Sequence, residues 1–176
     1  MSDKNIPETL FRIAGMSDYL TSVTRLFKVR AITDGHKINT ASQAYTKLLQ
    51  GWDKEVMSWV KEYRTLVLDS SDRPRYLISF PVLGQEADQS NIAQLFEMVK
   101  ELLPDAKKVI IGQNSPEKTV LPDLEEEAIA RTFKTNGENL NIPVFRHLIM
   151  SPSALYAFDQ PRHKKRQLGP RQLVRQ

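Results

Sequence analysis

The sequence predicts an α/β chain of the α+β kind, in which helices flank a mixed β-sheet. Three segments carry apolar residues at helical spacing, at 40–49, 90–103 and 123–135. Five short segments have the composition of strands, at 62–69, 75–82, 107–112, 142–150 and 154–158. From residue 62 onward the order is β-β-α-β-α-β-β, which favours one mixed sheet with helices packed on it.

The first two helices have ends that the sequence marks. Thr40 and Gln43 are spaced as a capping box at the start of the first helix, and Gly51 is placed to end it. The segment 90–103 is the clearest helix in the chain, and Pro104 blocks its continuation. Its apolar residues share one face, namely Ile92, Leu95, Phe96, Val99, Leu102 and Leu103.

The segment 53–61 lies between the first helix and the first strand of the pattern, and its spacing predicts a second helical piece. Trp52 and Trp59 are predicted to pack in the core or in a lid, since no basic repeat surrounds them to suggest ligand stacking. The sequence SSDRP at 70–74 is a turn signal that joins two strands into a hairpin.

The stretch 109–127 reads VIIGQNSPEKTVLPDLEEE and predicts a strand, a polar loop and a helix start. Asp123 and Glu126 have the spacing of a second capping box, and Gly137 is predicted as the C-cap of that helix. Loops held between rigid elements often carry functional sites, so this loop is the first place to look for one.

Composition excludes several classes of protein. The 176 residues contain no cysteine, so the chain has no disulfide, no thiolate zinc site and no cysteine nucleophile. No apolar run reaches the roughly 18 residues of a membrane span, and the N-terminus lacks the pattern of a secretory signal. We therefore expect no membrane association and a cytoplasmic location.

Positive charge is concentrated at the C-terminus. Residues 161–176 contain six Lys and Arg and no acid, which leaves 19 Lys and Arg against 21 Asp and Glu in residues 1–160. The predicted organisation is an N-terminal arm or helix over 1–38, one domain over 39–160 and a basic, disordered tail over 161–176. The slightly acidic body argues against a nucleic-acid-binding domain, and only the tail has the charge for that role.

Several segments in the same order resemble the RadC-like JAB/MPN (JAMM) domain, the fold of bacterial RadC and of eukaryotic deubiquitinating isopeptidases. The segments are ASQAYTKLLQGWDKE, EYRTLVLD, the helix before VII, the loop and helix after it, and NIPVFRHLIMSPSALYAF. The resemblance covers about residues 38–158. It implies a three-layer architecture similar to that of cytidine deaminase.

In active members of that family, two His of an HxHP motif and a later Asp hold zinc, and a Glu acts as general acid/base on the zinc-bound water. Three protein ligands leave one open position, where zinc lowers the pKa of water to about 7. The resemblance places the general acid/base on Glu62. The two His positions fall on Gln113 and Ser115, and the Asp position falls on Glu126.

The resemblance therefore implies that zinc binding is lost, because an amide and a hydroxyl are poor replacements for two imidazoles. Each position also has a structural interpretation. Glu62 would be a strand-edge residue, and Gln113 and Ser115 would hydrogen-bond within the loop. We expect the capping role of Glu126 to outweigh metal binding, and we expect His147 to be structural.

Three hypotheses of function follow. The first is a catalytically inactive RadC-like JAB/MPN domain that acts as a binding or scaffolding module for an unknown protein partner. The second is a metal-dependent hydrolase, either an isopeptidase or a DNA-repair-associated enzyme, that binds Mg²⁺ or Ca²⁺ weakly through oxygens of Glu62, Gln113 and Glu126. The third is salt-sensitive, sequence-independent nucleic-acid binding through the tail, at Arg162, Lys164, Lys165, Arg166 and Arg171.

Overall fold

A six-stranded mixed β-sheet forms the centre of the protein in a computed structural model that describes residues 26–116 and 119–158, apart from the side chain of Gln85. The strands are β1 (Lys28–Ala31), β2 (Glu62–Leu68), β3 (Pro74–Pro81), β4 (Lys108–Asn114), β5 (Val144–Ser151) and β6 (Ala154–Ala157). Within these ranges the helices are α1 (Ala41–Leu49), α2 (Gln85–Leu102) and α3 (Leu124–Asn139), and a 3-10 turn covers Val56–Ser58.

The strand order in the sheet is β1-β3-β2-β4-β5-β6. Among the described strands only β4 and β5 are parallel neighbours, and α3 provides the crossover connection between them. All other neighbours in the described sheet are antiparallel. The prediction of a mixed sheet flanked by helices is confirmed.

Helices cover both faces of the sheet and make three layers. On the face covered by α1, called the α1 face, the core contains Leu48 together with Leu66 and Leu68 of β2. On the opposite face, called the α2–α3 face, Tyr63 and Val67 of the same strand join a core built with α2 and α3. This division follows from the period of two along a strand, which sends successive side chains to opposite faces.

The caps predicted for α1 and α3 are present. The Thr40 side chain accepts from the Gln43 N–H, and the Gln43 side chain accepts from the Thr40 N–H, at 3.1 Å each. Asp123 and Glu126 make the same reciprocal pair at the start of α3. Gly51 follows the end of α1 with a φ of 70°, in the left-handed region that favours glycine.

Strand β1 was not predicted. It pairs antiparallel with β3, and the Phe27 side chain just before it is buried against Phe80 at a centroid distance of 4.9 Å. The strand has only four residues, KVRA, and two of them are charged, so its sequence shows no strand pattern. Its pairing with β3 decides its conformation. Most of the arm predicted over 1–38 lies outside the described residues.

The prediction of a helix over 53–61 was wrong, because only the 3-10 turn Val56–Ser58 forms in this segment. Asp53 Oδ1 accepts from the Glu55 N–H at 2.8 Å, and the chain then straightens to enter β2 at Glu62. As a result Trp59 is 81% exposed, in contrast to the prediction that it packs. Trp52 is buried as predicted.

Gly137 is not the C-cap of α3, contrary to the prediction. The helix continues to Asn139, and Asn141 takes the left-handed conformation with a φ of 57°. Gly137 is needed for close packing, because a Cβ at this position would lie 2.6 Å from the Ile142 carbonyl oxygen and 3.1 Å from the Phe96 ring. This contact brings α3 close to α2.

Replacing Gly137 with alanine should lower the free energy of unfolding by about 1–2 kcal/mol, because overpacking outweighs the helix propensity gained by alanine. Urea denaturation measures the change. Lys134→Ala on the same helix is the control, since its side chain is 70% exposed and its loss should change stability by less than about 0.5 kcal/mol. A Gly137→Ala protein as stable as the wild type would contradict the close helix packing.

Candidate functional site

The carboxylate of Glu126 is the centre of a cluster of hydrogen bonds at one end of the sheet. Its Oε1 accepts from Gln113 Nε2 and from Lys61 Nζ, each at 2.8 Å. Its Oε2 accepts from the Asp123 backbone N–H at 3.1 Å. Three N–H donors therefore surround a side chain that is only 12% exposed, and one of them is a cation.

Each member of this cluster is placed by its own element. Gln113 lies near the end of β4 and follows Val109 and Ile111 on the α2–α3 face, where it is 1% exposed. Glu126 is held in the first turn of α3 by its capping box. Lys61 immediately precedes β2, which pairs with β4. The cluster therefore forms where the ends of three elements meet.

The orientation of the Gln113 amide follows from its partner. An ionised carboxylate only accepts hydrogen bonds, so the amide must present its NH₂ group to Glu126. Its Oε1 is consequently turned away, buried, and without a hydrogen-bond partner among the described residues. Gln113 thus offers a donor at the place where a metal ligand would offer a lone pair.

Ser115 follows β4 and is buried. Its backbone N–H donates to the Met150 carbonyl at 2.8 Å, which continues the β4–β5 ladder by one residue. Gln113, Asn114 and Ser115 therefore all pair with β5 as part of the sheet.

Glu62 lies on the other face of the sheet. Its carboxylate accepts from Arg64 Nε at 3.2 Å, and Arg64 reaches the Leu48 carbonyl of α1 at 3.2 Å. The residue directly opposite Gln113 in the β2–β4 pairing is Tyr63, so Tyr63 rather than Glu62 shares the face of Gln113 and Glu126. The structure brings Gln113 and Glu126 together and separates them from Glu62.

Asn114 has a structural role that the sequence did not reveal. Its side chain is fully buried, and its Nδ2 donates to the carbonyls of Met57 at 2.9 Å and Val60 at 2.6 Å. Its Oδ1 accepts from the Glu62 N–H at 2.6 Å. Asn114 therefore ties the loop before β2 to the end of β4. The only signal for it was its position within the QNSP motif.

Tyr63 and Asp88 form a second buried polar pair beside the cluster. The Tyr63 hydroxyl donates to Asp88 Oδ2 at 3.4 Å, and Asp88 Oδ1 accepts from the Leu83 N–H at 2.9 Å. Burial, and then the nearby charge of Asp88, raise the pKa of Tyr63 well above its usual value. The hydroxyl therefore stays protonated and acts as a hydrogen-bond donor at neutral pH.

His147 is fully enclosed on the α2–α3 face. Its ring meets Phe133 edge-on at 5.3 Å and lies 4.8 Å from Phe158. Neither ring nitrogen has a hydrogen-bond partner among the described residues. Burial lowers the pKa of His147 to about 3, so the imidazole is neutral at physiological pH.

The side chains at the positions where the resemblance places the zinc ligands do not fit zinc. A zinc site needs lone pairs that converge from three protein ligands, whereas here Gln113 and Lys61 direct N–H groups at the one carboxylate. The ammonium of Lys61 already supplies a positive charge 2.8 Å from Glu126. Across the described ranges, no group of three or more His, Cys, Asp and Glu side chains has an arrangement suited to a metal ion.

The fold and this site define an α+β domain of three layers with a JAB-type strand, loop and helix at its centre. The family model of the RadC-like JAB domain matches residues 38–165, which is most of the chain. The protein belongs to this family. A comparison with curated proteins found no match.

No helix in the described part of the chain is both long enough and apolar enough to cross a bilayer. The tail residues proposed for nucleic-acid contact, Arg162, Lys164, Lys165, Arg166 and Arg171, lie outside the described residues.

Lys61 and Glu126 should be energetically coupled. A double-mutant cycle with Lys61→Met and Glu126→Gln should give a coupling energy of about 0.5–1 kcal/mol in urea denaturation, since glutamine keeps the cap and removes the charge. Lys54→Met in the exposed preceding loop is the matched control and should be additive with Glu126→Gln. Additive effects of Lys61→Met and Glu126→Gln would contradict the proposed ion pair.

The burial of neutral His147 should make the protein less stable in acid. The unfolded state takes up a proton below a pH of about 6.5, whereas the folded state does so only near pH 3, so stability falls as the pH falls through this window. The expected loss between pH 7 and pH 5 is about 2 kcal/mol.

Urea denaturation at several pH values measures this loss. In a His147→Phe protein, whose ring suits the contacts with Phe133 and Phe158, the part of the slope due to His147 should disappear. Equal pH dependence in the two proteins would show that the imidazole is not buried in its neutral form.

Proposed function

We propose that the protein is a catalytically inactive RadC-like JAB domain that works as a binding or scaffolding module. The observation that carries this proposal is the environment of Glu126, whose two oxygens accept from Gln113, Lys61 and Asp123. These bonds satisfy the carboxylate without a metal ion. The N–H groups of Gln113 and Lys61 also occupy the directions from which ligands would have to converge.

The position of Glu62 supports the same proposal. A general acid/base must reach the water that it activates, within about 3 Å or through one further water. Glu62 is engaged with Arg64 on the α1 face, while Gln113 and Glu126 lie on the opposite face. The same separation disfavours the alternative hydrolase with Mg²⁺ or Ca²⁺, which needs the oxygens of Glu62, Gln113 and Glu126 to converge.

A binding role is supported by large apolar side chains exposed on the segments that carry the cluster. Trp59 lies two residues before Lys61 and is 81% exposed, and Leu124 lies two residues before Glu126 and is 83% exposed. Val60, Leu83 and Leu121 are also exposed. Where exposed apolar side chains form a continuous surface, they often mark a contact with another protein. We propose a protein partner at this end of the sheet.

Metal titration tests the loss of the zinc site. The wild-type protein should bind no zinc stoichiometrically, whereas Gln113→His/Ser115→His should gain zinc affinity, because imidazole is a far better zinc ligand than amide or hydroxyl. Inductively coupled plasma analysis of both purified proteins gives the metal content, and calorimetric zinc titration gives the affinity. Both proteins should be assayed for isopeptidase activity with and without EDTA.

Two results would overturn the proposal. One is stoichiometric zinc in the wild-type protein with an affinity equal to that of the double variant. The other is EDTA-sensitive isopeptidase activity in the wild-type protein that Glu126→Gln abolishes.

A further inference from the structure

A group of basic side chains lies on the α1 face, on the opposite side of the sheet from Glu126. In the strand register, Ser79 of β3 lies between Lys28 of β1 and Arg64 of β2, and all three point to this face. Residues directly opposite each other in antiparallel strands have their Cβ atoms about 5 Å apart. A short hydroxyl side chain between two long cationic ones leaves a recess. Together with Arg30 these residues form what we call the cationic notch.

The two arginines of the notch lie side by side. Arg30 Nη2 and Arg64 Nη1 both donate to the Gln50 carbonyl oxygen, each at 3.5 Å. Burial lowers the pKa of Arg64 from its ordinary value, the hydrogen bond and charge of Glu62 partly oppose this, and the charge of Arg30 makes the smallest contribution in the lowering direction. The fold thus holds like charges close together, an arrangement that an anion would stabilise.

Arg64 is held firmly in place. Its guanidinium carbon lies 4.2 Å from the centre of the Trp52 ring, and its Nε and Nη1 donate to Glu62 and to the Leu48 carbonyl. A guanidinium fixed in this way loses little conformational entropy when it binds a ligand. The Glu62 carboxylate also neutralises part of the charge of Arg64.

The notch is a recess open to solvent with a volume of about 130 Å³, lined by Lys28, Val29, Arg30, Arg64, Leu77 and Ser79. An apolar cavity of about 150 Å³ is known to bind benzene, so this recess has room for a single phosphate group. Guanidinium, ammonium and hydroxyl groups are the side-chain donors that bind phosphate oxygens.

We propose that the cationic notch binds the terminal phosphate of a small phosphate-bearing ligand. The bonds from Arg30 and Arg64 to the carbonyls at the end of α1 explain why two arginines lie there. They do not explain why exposed Lys28 shares the recess with Ser79. A phosphate that receives hydrogen bonds from Lys28, Ser79 and the arginines accounts for the whole set. This site is independent of the Glu126 cluster and of the function proposed for it.

Calorimetric titration of the full-length protein with inorganic phosphate and with glycerol phosphate tests the proposal, in a low-salt buffer free of other oxyanions. Both compounds should bind, and added salt should weaken the binding. Lys28→Ala should weaken the binding about tenfold, as expected for the loss of one charged hydrogen bond, and Lys28→Glu should abolish it. Lys28 is exposed on an edge strand, so both variants should fold, and thermal unfolding without phosphate checks this.

The matched control is Lys100→Glu, an equal change of charge on the exposed side of α2 and on the other side of the sheet. It should leave the phosphate affinity unchanged. Equal weakening by Lys28→Glu and Lys100→Glu would overturn the proposal, because only net charge would then matter. So would acetate binding as tightly as phosphate, or no phosphate binding at roughly millimolar concentrations. Binding of an oligonucleotide but of neither small phosphate would also overturn it.

Discussion

Tyr63 of β2 lies directly opposite Gln113 of β4, and side chains alternate between the two faces of the sheet along both strands. This register assigns every residue of the central strands to a layer. It turns Gln113 toward α3, where Glu126 can reach it, and it turns Glu62 toward Arg64 and α1. A shift of one residue in this register would turn every side chain of the shifted strand to the opposite face of the sheet. The buried apolar residues would then lose their packing partners. The buried apolar residues of β2 and β4 therefore fix the geometry of the Glu126 cluster and of the cationic notch.

The cluster around Glu126 shows how a carboxylate with little exposure to solvent is satisfied by neighbouring side chains and backbone. A buried carboxylate needs donors or a positive charge, since an uncompensated charge is costly inside a protein. Here Gln113 and the capping N–H supply neutral donors, and Lys61 supplies the charge. The same glutamate completes a helix cap, so its conformation depends on local backbone structure as well as on the cluster. These bonds satisfy both oxygens of the carboxylate without a metal ion.

Local chemistry explains which elements could be predicted from the sequence. The capping boxes at Thr40 and Asp123 depend on residues three positions apart, and the apolar face of α2 depends on spacing within one helix. The failures depend on distant residues. The segment 53–61 has helical spacing, but Asn114 of β4 binds the carbonyls of Met57 and Val60 and draws the loop toward the sheet. In the sequence, Gly137 has the position of a helix C-cap. Its close contacts with Ile142 and Phe96 are the actual reason why a glycine is needed there.

The sequence by itself determined the family of the domain and its main helices and strands, and the resemblance to that family led us to propose that Gln113 and Ser115 stand at two zinc-ligand positions. Composition and motif spacing carry this information, and neither requires knowledge of contacts. Only the tertiary structure decided that Lys61 pairs with Glu126, that Glu62 lies on the other face, and that Lys28, Arg30 and Arg64 share one recess. These residues come from separate strands and from a helix, and strand register and layer packing are what bring them together.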